Sequence, residues 1–283
     1  MNGRGKSRET LDRSIGPAIA YRVASRAPHP EVPEDRYRPR GALDRKQKLD
    51  FARRAATAQL AGLPGVVKAA LGKGGPSGAM TLPETPPDSS ATRAAVELAE
   101  SVYGEQLHQH CLRCWYFGAA FAQLDGDRFD PEALFIAALL HDIALTDRCR
   151  PAPGQSPCFA VHGGSVARDR LLAWGASTEL ANLVDEAIAL HMDVAVDPAQ
   201  GVEAHLLHAA AHLDVAGTRI GDLPRPLLAD IVRMHPRDGF TGAFLSAMRR
   251  EARDRPDSRA AVMWKLGMRL PVSMNPLNRS SAR

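Results

Sequence analysis

The string PEALFIAALLHDIAL, running from Pro131 to Leu145, places His141 and Asp142 near the end of an almost wholly apolar run. Eight of the nine residues from Ala133 to His141 are apolar, so the segment reads as a helix buried on nearly all sides. An imidazole tolerates burial with a single partner, but a carboxylate beside it is costly unless a positive charge compensates it. A divalent cation does so, because neutral imidazole and carboxylate are ordinary ligands for zinc, iron or manganese. One helix end does not complete a coordination sphere. His110 begins HCLRCWYFG upstream, and Asp214 lies in AAHLDVAG downstream. Helices packed so that these meet would set two imidazoles and two carboxylates on one ion, with positions open for water or substrate, as a catalytic site requires. A chance dipeptide with a satisfied core histidine is the alternative.

The elements that must position these residues are helical. Ser89 or Ser90 can cap a helix from about Ala91 to Val102. A second spans about Glu105 to Leu124, and a third Pro131 to Leu145, opened by Asp130 as cap and Pro131 at the first helical position. Further helices fit Gly164–Trp174, Ser177–His191, Val202–Val215, Pro226–Met234, Thr241–Arg253 and Ser258–Leu266. No run alternates with period two long enough to suggest a sheet, so the fold class is all-α.

Ahead of this lies a different kind of chain. Residues 1–75 hold 16 Lys/Arg against 7 Asp/Glu, net +9, whereas residues 76–283 hold 20 against 25, net −5. Residues 1–48 read as a Pro- and Arg-rich, partly disordered tail; short helices follow at Leu49–Leu60 and Val66–Leu71, separated by a break at Leu63-Pro64-Gly65. The expected organisation is a basic segment over 1–75, a helical metal-binding domain over 82–270 and a C-terminal tail over 271–283. No stretch of about 18 apolar residues exists to span a membrane. Four cysteines do not make a secreted disulfide scaffold, so the expected location is cytoplasmic. The basic segment carries no nucleic-acid reading motif and few aromatics, which argues against sequence-specific nucleic-acid binding. A homo-oligomer is compatible with all of this.

His110, His141-Asp142 and Asp214 fall in the order H…HD…D, and at these residues the chain resembles the HD-domain metal-dependent phosphohydrolase superfamily. The strings HCLRCWYFG, ALLHDIAL, CFAVHGGSVARDRLLAWG and VDEAIALHMD are similar to those of its cyanamide-hydratase-like branch, which shows H-S-x-R-x-Y-x-x-G, L-x-H-D-[IL], F-E-x-x-G-A and A-I-x-x-H. The resemblance spans about Leu82 to Gly217. It implies a helical fold, one or two bound divalent metals, and hydrolysis or hydration of a small molecule: a phosphoester, or a cyanamide- or nitrile-type compound. Two departures stand out: the branch's Glu is Ala160 here, and its Ser is Cys111.

Under that resemblance Asp142 is a ligand or the proton acceptor for the attacking water. Arg113, near His110 on the same helix, would hold an anionic or polarised group. His191 would be a general acid or substrate ligand, and His162, if it converges, would suit a second metal. Blander readings exist for each. His191 suits a helix C-terminus as a cation, and His162 suits a loop-to-helix cap. His205, His208 and His212 offer a rival metal site, sharing one helix face at about 100° per residue, with Asp214 about 200° from His212, so stripe and aspartate point opposite ways. Asp214 is preferred for the site and the stripe is read as packing or interface. Cys111 and Cys114, mid-helix, are read as small hydrophobes and not as zinc ligands. A non-catalytic metal-binding regulatory module of the same fold is the alternative function.

Overall fold

The computed structural model describes residues 42–71, 76, 80–81, 85–153, 155–156 and 158–282. Among them the regular structure is all helical: α1 (Arg45–Ala70), α2 (Ser90–Val102), α3 (Glu105–Asp125), α4 (Pro131–Leu140), α5 (Phe159–Ala173), α6 (Thr178–Leu190), α7 (Val202–Ala216), α8 (Arg225–Met234), α9 (Phe240–Asp254), α10 (Arg259–Lys265) and α11 (Arg269–Met274). Short 3₁₀ turns follow α4 and α11 and flank α7. The part of the expected basic tail before residue 42 lies outside the described residues.

The apolar run of α4 makes it the centre of the bundle. Every residue from Ala133 to Leu140 is buried, and α2, α3, α6 and α7 pack around it. Asp130 caps it as expected, accepting from the Glu132 and Ala133 amides. The helix ends five residues earlier than the sequence suggested. His141 is its C-cap, Asp142 sits at φ −100°, ψ 10°, and a 3₁₀ turn covers Ile143–Leu145. That turn carries the His-Asp pair out of the helix and turns Asp142 inward.

Three corrections concern boundaries. The first is α1, which is one helix and not two. Pro64 lies inside it; the missing amide and ring crowding cost about 3 kcal/mol in a free helix. Its second half instead packs against the turns at Ile220–Asp222 and Pro276–Ala282, which offsets the break. Nor is α1 apart from the domain: Phe51 and Ala55 are buried against Val262 of α10, and Leu43 and Lys48 are tied to Asp257. The second is α5, which starts at Phe159 and not at Gly164. Cys158 offers no side-chain cap; Glu251 of α9 accepts from the Phe159 amide at 3.1 Å and is itself held by Arg255. The third is the C-terminal tail over 271–283, which packs: Val272, Asn275 and Leu277 are buried, and Asn275 donates to the carbonyls of Leu213 and Asp214.

Candidate metal centre

Two helices end in histidine, and both ends use the same device. His141 closes α4 and turns Nδ1 onto the Ala138 carbonyl at 2.7 Å. His191 closes α6 and turns Nδ1 onto the Ile188 carbonyl at 2.6 Å. Terminal carbonyls of a helix lack partners within it, so each ring takes one and fixes its own tautomer. With Nδ1 donating, Nε2 is left as a bare lone pair. His110, inside α3, reaches the same state differently: its Nδ1 lies 2.6 Å from Asp214 Oδ2.

These lone pairs converge. His110 Nε2 and His141 Nε2 are 3.1 Å apart, and Asp142 Oδ2 is 3.6 Å from each. His191 Nε2 lies 3.9 Å from Asp142 Oδ1. All four side chains are at most 3% exposed. Asp142 Oδ2 has no hydrogen-bond partner. Two lone pairs facing each other beside an unpartnered buried carboxylate oxygen repel, unless a cation lies among them. Bonds of about 2 Å from a central ion would reach all three atoms. His110, His141 and Asp142 therefore fit a divalent metal, with His191 beside them. Burial, reinforced by His141, holds the His191 pKa well below its ordinary value, so this ring is neutral.

Asp214 is placed elsewhere than expected. It sits behind the His110 ring, on the Nδ1 side, and not among the Nε2 donors. Arg113 grips it with Nε and Nη2, both at 2.9 Å, and Arg237 closes on Oδ1. Burial alone would raise its pKa, but the Arg113 and Arg237 guanidiniums outweigh that and hold it well below the usual carboxylate range. The result is a positioning carboxylate that fixes the tautomer and aim of His110. The same contacts correct the expectation for Arg113. Its guanidinium is wholly buried on Asp214 and the carbonyls of His235 and Pro236, so it offers nothing to a substrate. His162 is corrected too: it lies within the first turns of α5, against the Cys149 backbone and Arg255, and does not reach the cavity.

The cavity at the centre has a volume of about 130 Å³. His110, His141, Asp142 and His191 line it together with Phe159, Phe244, Met263, Met268, Val272 and, from α1, Phe51, Ala55, Ala58 and Gln59. Among the described residues no Lys or Arg lines it. Arg148 and Arg168 are bound to Ser101 and Asn182. His208 and His212 do line it, so the stripe read as packing or interface forms part of the wall. α7 uses both faces, one towards the cavity and one, through Asp214, behind His110. Arg237, Asn275 and Asn278, which brace Asp214 from the C-terminal side, had no local signal in the sequence. Cys114 packs its Sγ 3.7 Å from His110 Nδ1, and burial keeps its thiol protonated.

Residues 107–216 match the HD domain family. Two proteins of Saccharomyces cerevisiae, cyanamide hydratases DDI2 and DDI3, are each 28% identical to this chain over 174 residues, covering 60% of the chain and 76% of the yeast protein. The matched region runs from α3 to the end of α7 and so contains His110, the His141-Asp142 pair, His191 and Asp214. Over that region the chain therefore matches the HD domain, and it is similar to the two yeast cyanamide hydratases.

Proposed function

We propose that this protein is a metal-dependent hydratase of a small, uncharged C≡N compound, with one divalent cation (zinc, iron or manganese) on His110, His141 and Asp142. The observation that carries this is the unneutralised cluster of Nε2 lone pairs and carboxylate at a cavity whose described lining has no cationic side chain. A phosphoester would bring negative charge, for which such sites provide Arg or Lys; the arginines near this one are engaged on Asp214. Similarity to the two yeast cyanamide hydratases points the same way.

Bound there, such an ion supplies Lewis acidity and a water activated at neutral pH. The chain supplies the rest. Asp142 offers one oxygen to the ion and the other towards His191. His191, neutral and with Nε2 free, can take a proton from the water and return it to the substrate nitrogen. In hydration the oxygen of water ends on the nitrile carbon and both its protons on nitrogen, giving an amide with no leaving group. The apolar walls keep bulk water away from that exchange.

The test is a turnover panel of cyanamide, simple nitriles and phosphomonoesters, run on metal-loaded protein and on His191→Gln. Amide formation from a C≡N compound is expected, falling about 10²–10⁴-fold in the variant with metal content unchanged. Phosphate release without amide formation would refute the reading.

A further inference from the structure

Leu49, Leu60, Leu63, Val67 and Leu71, along α1 and its C-cap, are each between 51% and 68% exposed. At about 100° per residue they fall within about 80° of one another, on the side of the helix opposite Phe51 and Ala55. Phe51 and Ala55 face α10 and the cavity, and the stripe faces outward, so α1 is apolar on both sides. A helix apolar on opposite faces is normally covered on both, and a contiguous exposed apolar strip marks an interaction surface. The stripe also has the same order from either end. Leu49 and Leu71 lie eleven residues to each side of Leu60, and Arg53 and Val67 lie seven. Asp50, ten residues before Leu60, and Lys68, eight after it, flank the stripe on one and the same side, each about 80° from Leu60.

We propose that this face of α1 binds the same face of a second copy of the chain, antiparallel about a two-fold axis through Leu60. Such a contact is isologous, so each residue meets the one equally far beyond the axis. Leu60 packs on the partner's Leu60 and Leu49 on the partner's Leu71, while the Arg53 stem lies along the partner's Val67 with its head in water. Lys68 comes beside the partner's Asp50, and symmetry makes that pair twice. Arg45 and Lys46, in the first turn of α1, reach the partner's last turn, where unpaired carbonyls and the helix dipole favour cations. A parallel pair would instead set Arg45, Lys46 and Arg53 against their own copies. An anionic membrane surface would take a basic apolar helix too, but it has no use for the mirrored order or for Asp50. Since α1 supplies Phe51, Ala55, Ala58 and Gln59 to the cavity wall, the pairing holds that wall from outside. The proposal is independent of the reaction assigned to the cavity.

Sedimentation equilibrium of the full chain, from about 1 to 300 μM, should show monomer and dimer in exchange, since one helix pair is a small interface. Leu60→Glu sets like charges face to face on the axis and should weaken the dimer at least about a hundredfold. Leu60 is 67% exposed, so this variant keeps its fold, which circular dichroism checks. Asp50→Lys and Lys68→Asp should each weaken the dimer severalfold, and the double variant should recover most of the loss. Under mild oxidation Leu60→Cys should form a disulfide-linked dimer, because its two copies meet at the axis. Leu71→Cys alone should not, its copies being about 33 Å apart along the pair, whereas a mixture with Leu49→Cys should. A wild type that stays monomeric throughout overturns the proposal. Pelleting of that monomer with phosphatidylserine vesicles would assign the stripe to a membrane, and a Leu60→Cys thiol closed to maleimide would assign it to residues 1–41 of the same chain. A dimer indifferent to Leu60→Glu overturns the face, and one that links Leu71→Cys to itself overturns the antiparallel order.

Discussion

His141 and Asp142 were legible because a carboxylate in an apolar run has few explanations, and burial at 1% for each is what made it need one. The aim of the His141 and His191 rings was not legible. It depends on which carbonyl each Nδ1 meets, and that is set by where α4 and α6 stop. Asp214 shows the limit of reading by type and spacing. A carboxylate in the right place along the chain serves here behind a ligand, because Arg113 and Arg237 meet it first. Replacing Asp214 with Asn would leave two buried guanidiniums without a full counter-charge. We expect a loss of about 3–5 kcal/mol in stability and a 10–100-fold loss of metal affinity, read by urea denaturation and metal titration. Metal affinity unchanged in a folded variant would remove the positioning role.

At the scale of elements, caps and close approaches decide what local propensity leaves undecided. Glu251 starts α5 from another helix, and no residue near Phe159 announces it. α5 and α6 then approach so closely at Gly164 that a Cβ would lie 2.3 Å from Asp185 Oδ1 and 2.7 Å from its carbonyl oxygen. Gly164→Ala should therefore cost about 1–3 kcal/mol through displaced backbone, measured as a lowered denaturation midpoint; a neutral result would mean that the two helices slide freely. α1 has a weaker hold. Its buried side chains are Phe51 and Ala55, whereas α4 is buried along its length. Amides of α1 should exchange with deuterium well before those of α4, by local opening, and equal protection would show α1 to be part of the central cooperative unit. Reading α1 as two short helices outside the domain failed because Pro64 is a local signal and the packing that overrides it is not.

For the whole molecule, the charge division along the sequence does not mark the limit of the working domain. Pro39–Arg283 is one compact unit, so the basic helix α1 belongs with the acidic remainder and closes part of the cavity wall. Among the described residues no helix is long and apolar enough to cross a membrane. The all-α class and the central placement of α4 followed from hydrophobic patterning, which is a property of each segment. The α1 and C-terminal contributions to the site did not, since they arise only when distant segments pack. Everything functional in this account depends on a cation at His110, His141 and Asp142. Elemental analysis of purified protein beside His141→Ala and Asp142→Asn, with thermal unfolding before and after metal is added, tests that directly. The wild type should hold about one divalent ion per chain and gain about 2.7 kcal/mol at a hundredfold excess over Kd, while both variants show neither. A wild type that binds no ion, or folded variants that bind it as well, would contradict the account.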